Sequence, residues 1–193
     1  MRVTLVDLGY GNLGSIRAAF SRLGAEVQLT SGREEIGSAE RLVLPGVGSA
    51  GFAMARLEEL ALAPVIRSFA KPLLGICLGM QLLFEWSEED GTSCLGLIEG
   101  TVRRLTPAPG LAVPHMGWAK LTAAQGGAGL ATGDYLWFAH SFAAEVGPNC
   151  TAQTRFGEPI AAAVRRDNFM GCQFHPERSS DAGARFLRAF LKQ

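Results

Sequence analysis

The chain has no excess charge of either sign: eighteen Lys and Arg residues balance eighteen Asp and Glu residues over 193 positions. Such a balance gives no general attraction to nucleic acid or to an anionic membrane surface. Long apolar runs are missing as well. Those present are short and interrupted, and none is long enough to span a bilayer. The N-terminal stretch MRVTLVDLGYGN reads as a strand and a turn, without the apolar h-region and small-residue cleavage site of a secretory signal. A cytoplasmic protein is expected. Cysteine and histidine are scarce. Cys77, Cys94, Cys150 and Cys172 form no C-x-x-C pair, and there are three histidines. That spacing argues against a structural zinc site, and an unsecreted chain of this size argues against a disulfide framework. No metal and no other cofactor is expected. Cys94, Cys150 and Cys172 read as small buried hydrophobes.

What is present is a globular composition, 48% hydrophobic and 19% charged, at a length suited to a single domain over residues 1–193. The first half alternates strand and helix. Strands are expected at Val3–Asp7, in EVQLT, in RLVLPG and at Ala70–Ile76. Helices are expected at Leu13–Leu23, Ser49–Leu60 and Leu78–Trp86. Continuous apolar strands interleaved with helices indicate a mostly parallel central sheet covered on both faces, an α/β fold. The second half holds short strands (GTVRRL, WAKLTA, YLWFAHSF, CTAQTRF, PIAAAVRR and FMGCQF) that predict an added antiparallel region partly extending the same sheet. Gly110, Gly126, Gly127 and Gly129 mark surface loops. A last helix spans 180–192, capped by Ser179 or Ser180, with Phe186, Leu187, Phe190 and Leu191 on its apolar face.

GYGNLG, Gly9 to Gly14, matches the dinucleotide fingerprint G-x-G-x-x-G between a strand and a helix. The fingerprint also needs an acidic residue at the end of the second strand, and that strand ends QLTSG. The stretch is therefore read as a tight strand-to-helix turn.

The chemistry centres on KPLLGICLGMQLLFEW. An apolar strand, then Gly75-Ile76-Cys77-Leu78-Gly79, then a helical pattern has the form of a nucleophile elbow, in which glycines clear a sharp turn. Cys77 is pushed out at the carboxyl end of the sheet, where open α/β sheets bind ligands. It also sits at a helix N-terminus, where the positive end of the dipole favours a thiolate. The Leu78 amide can point at an oxyanion. A thiolate needs a proton partner. His115 and His140 read as structural. His175 is followed two residues later by Glu177, which on an extended chain would face the same side and orient the ring. Pro176 stiffens the link. H-x-E also occurs in zinc deaminases, but they need a P-C-x-x-C downstream, which is absent. LPGVGSAGFAM places Pro45–Gly48 at the same sheet edge, where Val47 or Gly48 could supply a second oxyanion donor.

GICLGMQLLFE, PGVGSAGFAM and QFHPERSS together resemble the class I (triad) glutamine amidotransferases, over nearly the whole chain. LGLIEG and VPHMGW resemble, within them, the glutaminase-subunit family of imidazole glycerol phosphate synthases. The related glutaminases of pyridoxal phosphate synthases, the alternative, lack PHMGW and the CLGMQ elbow. The resemblance implies a flavodoxin-like core. It implies that Cys77 attacks the glutamine side-chain amide to give a thioester, with His175 as proton carrier and Glu177 orienting it. Leu78 and Val47 amides would form the oxyanion hole, Val47 after a rearrangement of its peptide. Gly48, Gln81, Ser141 and Phe142 would hold glutamine. The implied partner is a (β/α)8-barrel cyclase subunit in a heterodimer, which uses the ammonia to make imidazole glycerol phosphate and aminoimidazole carboxamide ribotide in histidine biosynthesis. Ala119, Trp137, Phe142 and Arg178 depart from the family pattern of Asn, Tyr, Tyr and Lys.

Overall fold

Apolar runs on adjacent strands feed two cores at once. Leu42 and Leu44 pack into one buried cluster with Leu57, Leu62 and Ile66, while Val43 between them packs into another with Phe20, Phe186 and Phe190. Side chains on a strand alternate between faces, so a strand covered on both sides must be apolar at every position. Each such large side chain contributes about 1.5–3 kcal/mol on burial. The computed structural model describes residues 1–126 and 128–193; Gly127, read above as part of a loop, lies outside the described residues.

In chain order the first half runs β1 (Arg2–Val6), α1 (Leu13–Arg22), β2 (Glu26–Thr30), α2 (Arg33–Ser38), β3 (Leu42–Leu44), α3 (Ala50–Glu59), α4 (Ala63–Arg67), β4 (Leu73–Ile76) and α5 (Leu78–Gln81). There follow β5 (Trp86–Ser87), β6 (Thr92–Ser93), β7 (Thr101–Arg104), β8 (His115–Lys120), β9 (Ala123–Ala124), β10 (Tyr135–His140), β11 (Phe142–Ala144), β12 (Cys150–Phe156), β13 (Glu158–Arg166), β14 (Phe169–Cys172) and α6 (Ser180–Leu191). The main sheet has the order β2-β1-β3-β4-β14-β13-β12-β9. Strands β2 to β14 in that order are parallel, and β13, β12 and β9 continue antiparallel. The antiparallel extension is thus as expected. Two further sheets, β10-β8 and β11-β7-β5-β6, stand apart from the main one. YLWFAHSF is split between them, because the chain leaves β10 after His140 and pairs Phe142 with Arg104 instead.

Two expectations need correction, and two short helices were not anticipated. The helix expected over Leu78–Trp86 is a single turn, Leu78–Gln81. The carbonyls of Leu82, Leu83 and Phe84 are taken by amides of residues 95–98 instead of by a further helical turn. Glu85 and Trp86 then join the β5-β7 edge. The two short helices α2 and α4, six and five residues long, fall below the window in which helical periodicity can be read. Finally, Ser179 does not cap α6 with its side chain. Its buried hydroxyl accepts from the Trp137 amide at 2.9 Å and donates to the His175 carbonyl at 2.7 Å. The apolar face of α6 is as expected, with Phe186, Leu187, Phe190 and Leu191 all buried.

Candidate active site

The sheet order reverses at β1/β3, and open α/β sheets take ligands at the carboxyl ends of the strands there. The turns after β1, β3 and β4 do meet at one cavity of about 440 Å³. Its walls include all nine residues singled out in the sequence: Val47, Gly48, Cys77, Leu78, Gln81, Ser141, Phe142, His175 and Glu177. The GYGNLG turn contributes Asn12. Gly9 and Gly11 take φ of +86° and +112° there, and Asn12 accepts from the Ser15 amide to start α1.

Cys77 is held at φ 55°, ψ −112°, a strained position for a residue with a Cβ. Its amide donates to the Cys172 carbonyl at 2.7 Å, and its carbonyl accepts from Met80 and Gln81. Glycines are required both beside the elbow and on the loop that packs against it. A Cβ on Gly75 would lie 2.5 Å from the Gly79 carbonyl oxygen, and one on Gly46 2.8 Å from the Gly79 nitrogen. Among the described residues no backbone acceptor takes the Leu78 amide. It remains available at the start of α5, beside the sulfur.

His175 Nδ1 lies 3.0 Å from Glu177 Oε1. A carboxylate only accepts, so Nδ1 carries the hydrogen and Nε2 is left for the thiol. The pairing is as expected, but its geometric basis differs. Pro176–Arg178 form a 3-10 turn, which folds the carboxylate back under the ring. The Ser179 hydroxyl and the His175–Trp137 backbone bond at 2.9 Å pin this turn to β10. Burial alone would push the His175 pKa down. The interactions with Cys77 and Glu177 outweigh it and raise the value to about 10. Partners that favour the charged form of the ring outweigh the cost of burying it. The sulfur itself faces the Ala139 carbonyl at 3.9 Å and receives the Gln173 side-chain amide at 3.8 Å.

The β8-β10 pairing sets His115 opposite His140. His140 Nδ1 is 2.8 Å from the Phe142 carbonyl and its Nε2 is 3.2 Å from His115 Nδ1. A carbonyl cannot donate, so His140 is protonated at Nδ1 and His115 donates to its Nε2. Burial lowers the His140 pKa to about 3 against the Phe142 carbonyl, and the neighbouring histidines push the same way. Both are neutral, satisfied histidines. Of the departures from the family pattern, two are one feature: the Arg178 guanidinium stacks on Trp137 at 4.6 Å.

Glu89 lines the cavity and was missed in the sequence. Its Oε2 accepts from the Ala50 amide at 2.8 Å. Burial raises its pKa, the Ala50 amide opposes this, and Asp90 raises it further. In the run EEDGT nothing marks one acid among three; only the placement beside the N-terminus of α3 does. Among the described residues no cluster of His, Cys, Asp or Glu is placed to hold a metal ion, and no helix is long and apolar enough to cross a membrane.

A cysteine on a glycine-cleared elbow, paired with a His-Glu couple on a flavodoxin-like sheet, defines the class I glutamine amidotransferase type of site. The family model described as "Glutamine amidotransferase class-I" matches residues 4–193. Among solved structures, a glutamine amidotransferase crystal structure superposes with TM-score 0.77 at 21% identity, covering 98% of this chain and 97% of that one. The glutaminase domain of Trypanosoma brucei CTPS with bound acivicin gives 0.66 at 18%, covering 100% and 94%. At such identities these share the fold. Curated relatives are much nearer in sequence. The imidazole glycerol phosphate synthase subunit HisH of Shewanella oneidensis is 45% identical over 98% of this chain and 95% of its own length. That of Xylella fastidiosa is 48% identical over 98% and 96%, and that of Yersinia pseudotuberculosis 44% over the whole of both. The chain belongs to the class I glutamine amidotransferases and, within them, to the HisH family of imidazole glycerol phosphate synthase subunits.

Proposed function

We propose that residues 1–193 form one glutaminase domain, in which Cys77, His175 and Glu177 release ammonia from glutamine for a cyclase subunit of imidazole glycerol phosphate synthase in the cytoplasm. The observation that carries the residue roles is the Cys77–His175–Glu177 arrangement at the floor of the cavity. The Cys77 thiolate attacks the side-chain amide carbon, forming a C–S bond and an oxyanion. The amides of Leu78 and Val47 take that charge, Val47 after its peptide turns inward. His175, protonated and held by Glu177, gives its proton to the departing nitrogen; the C–N bond breaks and ammonia leaves. The same ring then takes a proton from water, whose attack on the thioester yields glutamate and restores the thiol.

Gly48, Gln81, Ser141 and Phe142 line the end of the cavity that takes the amino-acid portion of glutamine. Both Gln81 side-chain hydrogens are already engaged, by Phe142 and Gln173, so it would meet glutamine through its oxygen. The α-ammonium of glutamine needs a counter-charge. Only Glu89 and Glu177 among the lining residues are acidic, and Glu177 is committed to His175. Glu89 is therefore assigned to the ammonium. Glu89→Ala is expected to raise KM about 10–100-fold, the worth of a charge-assisted hydrogen bond, with a smaller change in kcat. Steady-state glutamate release measures this, and an unchanged KM would remove Glu89 from the assignment.

Ammonia released into neutral water is mostly protonated and no longer a nucleophile, so it must pass directly to a partner. Val47 and Met116 at the cavity, with exposed Trp118 and Phe52, offer an apolar surface for a (β/α)8-barrel cyclase subunit in a heterodimer. The test is glutamate release by the purified chain, alone and with the cyclase subunit and its nucleotide ligand. Release is expected to be slow alone and to rise by orders of magnitude in the complex. Equal rates in both would overturn the partner assignment.

A further inference from the structure

Gln173 has no solvent exposure, and the reaction described above gives it no task. It follows β14 directly and precedes His175 by two residues. Its backbone amide donates to the Ala162 carbonyl at 2.9 Å, which continues the sheet. The side chain points into the site. Its Oε1 lies 2.9 Å from Gln81 Nε2, and its Nε2 lies 3.8 Å from the Cys77 sulfur. Gln81 Nε2 also reaches the Phe142 carbonyl at 2.8 Å, and that carbonyl is the acceptor of His140 as well.

The direction of this chain is forced from one end. The Phe142 carbonyl can only accept, so the Gln81 atom facing it is the nitrogen. That nitrogen's second hydrogen faces Gln173, so the Gln173 atom meeting it is the oxygen. The atom left facing Cys77 is then the Gln173 nitrogen, a donor. A donor aimed at sulfur stabilises a thiolate more than a thiol, because hydrogen bonds to charged acceptors are the stronger ones.

We propose that Gln173 is a positioning residue for the reaction: its side-chain amide donates to the Cys77 sulfur, stabilises the thiolate there, and through Gln81 ties the sulfur to the Phe142 carbonyl at the substrate-binding edge. This rests on Cys77 being the nucleophile. The titratable groups around the sulfur are His175 and Glu177 on the turn after β14, Cys172 on β14, His140 on β10, and Glu89 and Arg178 across the cavity. Cys172 stays a thiol, since full burial raises its pKa well above normal and the charges of Glu177 and Cys77 add to that. His175 supplies the positive charge for the thiolate. Gln173 is a buried neutral donor to the same sulfur.

The experiment is the rate of alkylation by iodoacetamide against pH, for the full chain alone and in complex with the cyclase subunit. Gln173→Met keeps the length of the side chain and removes the donor. Its Cys77 alkylation profile is expected to move to higher pH, with a loss of about tenfold near neutrality, and kcat is expected to fall more than KM rises. Gln173→Glu keeps an acceptor for Gln81 and sets a carboxylate against the sulfur, so the displacement is expected to be larger. A merely structural role would lower the melting temperature and leave the alkylation profile where it was. If the Met variant does not fold, the Glu variant decides. An unmoved profile in a folded variant, with wild-type labelling lost in Cys77→Ala, overturns the role of Gln173 alone. Labelling or glutamine turnover that survives Cys77→Ala overturns the nucleophile assignment on which it rests.

Discussion

Cys77→Ala is expected to abolish glutamine-dependent synthesis by the complex and to leave ammonia-dependent synthesis intact. The thioester needs a sulfur to form the C–S bond, and no other nucleophile stands on the elbow. Removing a covalent nucleophile from a triad removes the bond-forming step itself, so a fall of at least about 10⁴-fold is expected. Ammonia supplied as an ammonium salt bypasses the cavity and reaches the cyclase partner directly, so that activity measures whether the complex is otherwise whole. Alanine at this position loses one buried sulfur and keeps the same backbone, so assembly should persist. The check is the initial rate of product formation with glutamine and, separately, with ammonium. Glutamine-dependent turnover within about tenfold of wild type would place the nucleophile elsewhere.

Gly79→Ala is expected to damage both stability and catalysis, although it adds a single methyl group. A Cβ there would sit inside the carbonyl oxygen of Leu44, with the Leu44 carbonyl carbon 2.8 Å away. Both obstacles are backbone at the end of β3, so no side-chain rotation relieves them. The start of α5 must move away from β3, and Cys77, two residues earlier, moves with it. Overpacking of this kind costs about 3 kcal/mol or more where the backbone has to shift. Gly14→Ala is the matched control. It lies in α1 with no positive φ and nothing within 4 Å of the added carbon, so it is expected to be neutral or to stabilise by up to about 1 kcal/mol. Urea denaturation compares the two, and glutamate release reports the displaced sulfur. A Gly79→Ala variant with the midpoint and activity of wild type would mean that the close approach of elbow and strand is not needed.

The elbow was legible because its requirements are local. A residue with positive φ, glycines on either side and an apolar strand before it are contiguous in the chain. The His175–Glu177 couple was legible from a spacing of two, although the turn that joins them is 3-10 rather than extended. Strands β3 and β4 were legible because they are buried at every position and apolar throughout, while the edge strand β2, half exposed, was legible from the alternation in EVQLT. The length of α5 was not legible. Leu82, Leu83 and Phe84 are good helix formers or neutral ones, and what stops the helix is a loop more than ten residues further on that takes their carbonyls. Ser179 reads as a cap for α6, and only the arrival of β10 at its side gives its hydroxyl better partners.

The sequence by itself determined the α/β class and the family, and it picked out Cys77, His175 and Glu177, which the fold brings to one cavity as the candidate nucleophile, histidine and carboxylate. These rest on backbone conformation and side-chain alternation within a few residues, which short-range sterics and burial dictate. Tertiary structure alone decided that Glu89 faces the cavity, and that Gln81 and Gln173, 92 residues apart, meet beside the sulfur. That meeting follows from β14 lying parallel to β4 with Cys172 opposite Ile76. A strand's register against a distant strand is set by how two cores close on both faces of the sheet, and no local pattern of residues records it.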